Sequence, residues 1–403
     1  MPTPRDVALA LLLALAAACV SWFASASVPL PVYRAGSDLW FEGDAQRVFD
    51  NLVDRRSDHY RSKVHPLFSI VGYGLTWIPR CALHLDPLLS VRIVMAAAAF
   101  VFGALLFLVL HVIAADAPGA LLLGAAGVAS AALLFWTSVP ETYGPGAISI
   151  LLALLVASRA PRIRESVLVL TSAATLSFTV TNWMAGIAMA AAALPWRRAV
   201  QVTINAFALV VMLWGAQKFL FPSAQFFIGD REETDYVFRP TLPRIGEVAN
   251  AFVVTPMVMP RFVSSFRDDH AEALMGTQAA RAWRQEPLAV AATVLWIVLL
   301  LLGLAGLRAA PELRPLKLTL LATLAGQFAL HVVYGNETFL YSLHFLPLLL
   351  AVAAFAMRTG ARPAALALAA LLVIAAGINN VARFREAVAF SAHPPLHVLP
   401  APR

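Results

Sequence analysis

Charge is scarce in this chain. Of its 403 residues only 13% are Asp, Glu, Lys or Arg, whereas 60% are hydrophobic. A soluble domain cannot hide that much apolar side chain, so the composition excludes a soluble globular enzyme and points to a polytopic membrane protein. Cysteine is nearly absent: Cys19 and Cys81 are too few for a disulfide framework and read as small apolar fillers. No Gly-rich phosphate loop, HExxH helix, CxxC pair or GxSxG elbow occurs, and His84 with Asp86 makes no convincing metal set. Nothing therefore asks for a nucleotide cofactor, and a divalent metal is possible without being required. No internal repeat is visible, which argues against an inverted-repeat transporter. The net charge of +7 does not signal nucleic acid either, because the basic residues sit in short clusters between apolar runs.

Those runs set the architecture. Segments 7–26, 92–113, 119–138, 144–158, 166–181, 183–195, 199–219, 288–307, 317–334, 339–357 and 363–381 predict an all-α polytopic fold of about 11 transmembrane helices. The first is read as an uncleaved span, although Ala24-Ser25-Ala26 resembles a signal-peptide cleavage site. Short loops with Arg159, Arg162 and Arg164, with Arg197 and Arg198, with Arg308, Arg314 and Lys317, and with Arg358 and Arg362 belong in the cytoplasm. Counting outward from them places 27–91 and Glu141 on the outer face, provided that 66–85 does not cross. Gly72, Gly74, Pro79 and Arg80 interrupt that segment, and Tyr73 and Trp77 favour an interface, so it reads as an outer-face juxtamembrane helix. The organisation expected is a transmembrane module (1–219) bearing the first outer loop (27–91), an outer cap (220–287) with a helix-like polar patch after Phe266, and C-terminal helices with a tail (288–403).

The scarce charge is concentrated. Asp38 to Pro66 carries Asp38, Glu42, Asp44, Asp50, Asp54 and Asp58 with Arg47, Arg55, Arg56, Arg61, Lys63, His59 and His65. Ala45, Phe49, Leu52 and Val53 mark one apolar face of a surface helix, whose other face suits simple solvated ion pairs. Asp44 and Glu42 precede that helix beside Trp40 and Phe41, with Gly43 allowing a tight turn. A carboxylate there can act as general base on a hydroxyl, or Asp44 can serve as the helix N-cap. Arg61, Lys63 and His65 offer three potential cations, fitted to a substrate phosphate or to lipid headgroups. Glu141 is a lone carboxylate in a short apolar outer loop. Glu337, Tyr341 and His344 recur at one-turn spacing at the start of a later span, either as a substrate contact or as interfacial packing.

These elements, taken in order, resemble the GT-C class of membrane glycosyltransferases, in the branch of the protein O-mannosyltransferases and lipid A aminoarabinose transferases. Glu42-Gly43-Asp44 matches the acidic motif of the first outer loop and His65-Pro66-Leu67 the His-Pro-Pro-Leu-like element. Arg92 opens the second span, and Glu141 is the second outer acid. The resemblance implies sugar transfer from a polyprenyl-phosphate donor to a lipid, glycan or protein hydroxyl on the outer side of the inner membrane, with inversion. Asp44 would be the base, Glu42 and Glu141 its catalytic neighbours, and Arg55, Arg61, Lys63 and His65 the donor-phosphate contacts. Glu337, Tyr341 and His344 would contact substrate, and an apolar groove would hold the prenyl chain. The other function classes in play are a lipid-linked oligosaccharide ligase or polymerase, which Arg261, Arg267 and His270 keep open, and a non-catalytic lipid or sugar transporter.

Overall fold

The protein is nearly all α-helical in a computed structural model that describes residues 3–33, 38–228, 236–266, 273–281 and 284–395. In chain order the helices are α1 (Pro4–Ser27), α2 (Ala45–Val53), α3 (Phe68–Ala82), α4 (Pro87–Ala114), α5 (Ala117–Val128), α6 (Ala131–Trp136), α7 (Tyr143–Ala157), α8 (Glu165–Phe178), α9 (Trp183–Ala193) and α10 (Trp196–Leu220). After the cap helix α11 (Leu242–Val253) come α12 (Pro287–Gly306), α13 (Arg314–Val333), α14 (Ser342–Ala354) and α15 (Arg362–Ala392). Seven described helices, some extended by 3₁₀ turns, are long and apolar enough to cross a membrane, which marks a multi-pass membrane protein. They begin at Pro4, Pro87, Trp196, Pro287, Pro311, Thr338 and Arg362. Four further crossings expected from the sequence fall on helices of 17 residues or fewer, and the run at 119–138 breaks where Ser130 caps α6.

The bundle is pinned by polar contacts at one end and by aromatic packing at the other. At one end the Arg358 guanidinium donates to the last carbonyls of α4, Ile113 O at 2.6 Å and Val112 O at 3.1 Å, where a cation suits the helix C-terminus. Arg362 pairs with Asp116 at 3.0 Å and Arg358 with Glu312 at 3.0 Å. Loops that charge counting assigns to one side of the membrane thus meet at one end of the molecule.

At the other end aromatic rings close the core. Trp40 and Phe41 are fully buried, and Phe41 meets Phe135 at 5.5 Å, Phe339 at 5.5 Å and Phe262 at 5.9 Å, all edge-on. Trp40 meets Phe384 edge-on at 5.7 Å. Trp136 donates its indole N–H to Phe339 O at 2.8 Å, tying α6 to the turn before α14.

Two sequence expectations change here. Helix α15 runs to Ala392, well past the apolar run that ends at 381, because buried Asn379 and Asn380 bond the 257–259 backbone and carry Phe384 up to Trp40. The polar patch after Phe266 is not helical where it is described: Leu274–Gly276 forms a two-stranded antiparallel sheet with Val263–Ser265. Glu337 accepts the N–H groups of Thr277 and Gln278, which commits that backbone to the loop rather than to a helix. The charged run 229–235, Arg267 and His270 lie outside the described residues.

Removing the indole that clamps this end, by Trp40→Ala, is expected to cost about 3–5 kcal/mol, the usual toll of an emptied aromatic site. Chemical unfolding in detergent measures it; an unchanged midpoint would show that the aromatic cluster does not hold the loop.

Candidate functional site

The acidic loop is forced into an unusual path by its two anchors. Phe41 (φ 52°) and Glu42 (φ 60°) both lie in the left-handed region, at a cost of roughly 1–2 kcal/mol each. Burying Trp40 and Phe41, worth about 1.5–3 kcal/mol per large side chain, offsets it. Gly43 itself is not left-handed; its role is space. A Cβ there would stand 3.0 Å from Trp40 O and 3.1 Å from both Glu141 Oε1 and the Trp136 ring. The chain does turn tightly here, with Gly43 N–H bonded to Trp40 O at 2.9 Å, and the glycine lets that turn lie directly on the Glu141 loop.

That contact creates the acid pair. Asp44 N–H donates to Glu141 Oε1 at 2.6 Å, and Thr142 N–H reaches Oε2 at 3.3 Å. Asp44 occupies the N-cap position of α2 through its backbone, with Val48 N–H bonded to its carbonyl, but its side chain makes no capping bond. The carboxylate turns instead to Arg47, one turn along, and to Arg61 at 3.9 Å, with 32% of the side chain still exposed. Burial opposes the Asp44 charge, yet Arg47 and Arg61 outweigh it and hold the carboxyl below its usual range. Glu141 goes the other way: burial, and then the Asp44 charge, push it up to about 8. At neutral pH the pair is one carboxylate beside one carboxylic acid.

A cavity of ≈ 400 Å³ opens over Asp44, walled by Asp38, Glu42, Arg47, Arg61, Glu337 and Tyr341 among others. Beside it a smaller cavity of ≈ 250 Å³ shares Arg61, Tyr334 and Tyr341 and adds Lys63, His65 and His331. Arg47 and Lys63 lie over the ring of Tyr60, at 5.5 Å and 5.4 Å. His65 is buried, which together with Arg61 holds its pKa down at about 3, so it is a neutral ring and not a third cation. Its Nδ1–H donates to Phe178 O at 2.7 Å, and its Nε2 accepts from the Thr142 hydroxyl at 3.2 Å.

The remaining expected residues divide. Glu337 faces the cavity, but its carboxylate receives Thr277 N–H at 2.5 Å, Thr277 O–H at 2.8 Å, Gln278 N–H at 3.1 Å and Phe339 N–H at 3.1 Å. It ties the cap to the membrane helices. Tyr341 lies tilted against His331 at 4.6 Å and stands edge-on to Tyr143 at 5.8 Å. Arg55 is exposed past the end of α2 and belongs to neither cavity wall. His344 lies a layer deeper, edge-on to Tyr143 at 5.5 Å and pressed against Gly146, so it too is outside both walls. Sequence reasoning passed over Arg47, Tyr60 and Tyr143; the i,i+3 spacing of Asp44 and Arg47 was the available signal for the first.

A third space lies on the far side of Glu141. It is an apolar groove of ≈ 630 Å³ between α3 and α4, lined by residues such as Phe68, Leu75, Ile78, Ala98 and Val101, with Glu141 also in its wall. Among the described residues no three His, Cys, Asp or Glu side chains converge as metal ligands. The chain matches no known family model, no curated protein and no solved structure.

Because Glu141 holds its proton in the fold up to about pH 8 but loses it near 4.5 when unfolded, it destabilises the protein progressively as pH rises through that interval. Glu141→Gln, a neutral isostere that still accepts from Asp44 N–H, is expected to match wild type in melting temperature near pH 4.5 and to exceed it at pH 8–9. Equal melting temperatures across that range would mean that Glu141 is ionised in the fold.

Proposed function

We propose that this is an integral membrane glycosyltransferase, resembling the GT-C class, that moves a sugar from a polyprenyl-phosphate donor to a hydroxyl acceptor. The observation that carries this reading is a partly open carboxylate, Asp44, held ionised by two arginines in a polar cavity that adjoins a cationic one. Asp44 takes the proton of the acceptor hydroxyl as that oxygen bonds to the anomeric carbon. The bond from that carbon to the phosphate oxygen breaks, its electron pair leaves with the lipid phosphate, and the anomeric configuration inverts. Negative charge grows on the departing phosphate, where Arg61 and Lys63 stabilise it. Glu141 fixes Asp44 through its backbone N–H, Glu42 lines the same cavity, and Tyr341 forms the wall between the two polar spaces.

On this reading the seven long helices and the four short apolar ones at 117–193 make about 11 crossings. α3 lies at the outer surface, and the cavity faces the exterior of the inner membrane. In a protein freed of Cys19 and Cys81, a thiol at exposed Arg56 is expected to react with an impermeant maleimide from outside, and one at exposed Arg197 only after permeabilisation. Both reacting from the same side would overturn the topology.

Asp44→Asn, purified and tested against a panel of lipid-linked sugars, is expected to slow release of polyprenyl phosphate by about 10²–10⁴-fold while donor binding persists. Retained turnover in Asp44→Asn with loss in Glu42→Gln would move the base by two residues. Turnover unaffected by either change would overturn the enzyme reading.

A further inference from the structure

The apolar groove and the cationic cavity are separated by a single wall, and the two sides of that wall differ in chemistry. Glu141 and Phe178 face the groove, whereas their neighbours Tyr143 and Thr179, with His65, face the cationic cavity. The Thr142 hydroxyl, the His65 ring and Phe178 O hydrogen-bond in series across it, at 3.2 Å and 2.7 Å. Val64 O is drawn into the same seam, accepting from Val180 N–H at 2.9 Å.

Each side has its own apolar surface. The cationic cavity is bordered by Val64, Val180, Phe227 and Leu330, so a prenyl phosphate can place its phosphate at Arg61 and Lys63 with its first isoprene units beside those residues. The groove is larger and has no Arg, Lys or His in its wall; its one ionisable group is Glu141. A phosphate placed beside Glu141 would be desolvated against a carboxyl group with no cation in the groove wall to compensate it, a costly arrangement. A hydroxyl at the same place can hydrogen-bond to the carboxyl, and Glu141 in turn touches Asp44 of the polar cavity.

We infer that the groove between α3 and α4 binds a neutral, hydroxyl-headed lipid, with its hydroxyl at Glu141, and that this lipid is the acceptor. The prenyl donor then lies on the other side of the His65 wall, not in the groove. Calling the lipid an acceptor rests on the transferase reading above; the preference for a neutral head does not.

The test compares two probes that share one chain, geranylgeraniol and geranylgeranyl phosphate. Full-length protein lacking Cys19 and Cys81 carries Ala98→Cys in the groove, and the rate of maleimide modification is followed in detergent at pH 7. The alcohol is expected to protect the thiol at about tenfold lower concentration than the phosphate, a modest charge-desolvation difference. Leu75→Cys on the facing helix serves as a second reporter should Ala98→Cys fail to fold. Equal protection by both probes would reduce the groove to an ordinary lipid-contact surface, and better protection by the phosphate would make it the donor's site; either overturns the inference. Ala98→Trp, which fills the groove, should leave binding of geranylgeranyl phosphate within about twofold of wild type. Weakened phosphate binding would also overturn the inference. Absence of sugar transfer with the protection pattern intact would fault the transferase reading alone, and transfer without the pattern would fault only this inference.

Discussion

One peptide N–H, that of Asp44, reaches a buried carboxyl group on a different loop, and the arrangement of this end of the molecule depends on it. The bond is short because Gly43 brings no side chain and because Trp40 and Phe41 are driven into a cluster of aromatic rings. Burial of those rings keeps Phe41 and Glu42 in a backbone conformation that neither residue favours in isolation. Hydrophobic burial is thus converted into the placement of a charged group. In a chain with so few charges, that is how a carboxylate comes to be fixed at the mouth of a polar cavity, where Arg47 and Arg61 keep it ionised.

The two acids differ because their surroundings differ. Asp44 has two guanidinium groups at hand, and Glu141 has mainly apolar neighbours with the Asp44 charge behind it. Similar side chains in contact therefore take opposite charge states, the pattern that separates acid from base in many active sites. Glu141 also marks a boundary between polar and apolar space, since it lines the groove yet bonds to a residue of the polar cavity. His65 completes the boundary as a neutral ring whose two nitrogens are both engaged. A protonated ring there would lose its acceptor and break the seam.

Much of this was legible in the sequence, for a physical reason. In so apolar a chain every charged stretch stands out, so the concentration at 38–66, the isolation of Glu141 and the basic loops at one end could all be read from composition and spacing. The structure does bring Glu42, Asp44, Glu141, Arg61, Lys63, His65 and Tyr341 into one neighbourhood. What could not be read was the direction in which side chains point. Arg55 and Arg47 share the polar side of one helical pattern, but only Arg47 lies a turn from Asp44 and faces the cavity. His344 and Tyr341 are a turn apart, yet the chain passes through a 3₁₀ turn at Thr338–Tyr341 before α14 begins, and His344 turns inward. The use of Glu337 as a fastener for the cap depended on Thr277 and Gln278, sixty positions away in the chain, which no local pattern reveals.

The central claim is that one acid of the pair is neutral and the other ionised, and infrared spectroscopy of the purified protein tests it directly. The account predicts a carbonyl band of a buried protonated carboxyl group at pH 7 that is missing in Glu141→Gln, kept in Asp44→Asn and lost as pH rises past about 8. Absence of that band at pH 7, or its assignment to Asp44, would contradict the account.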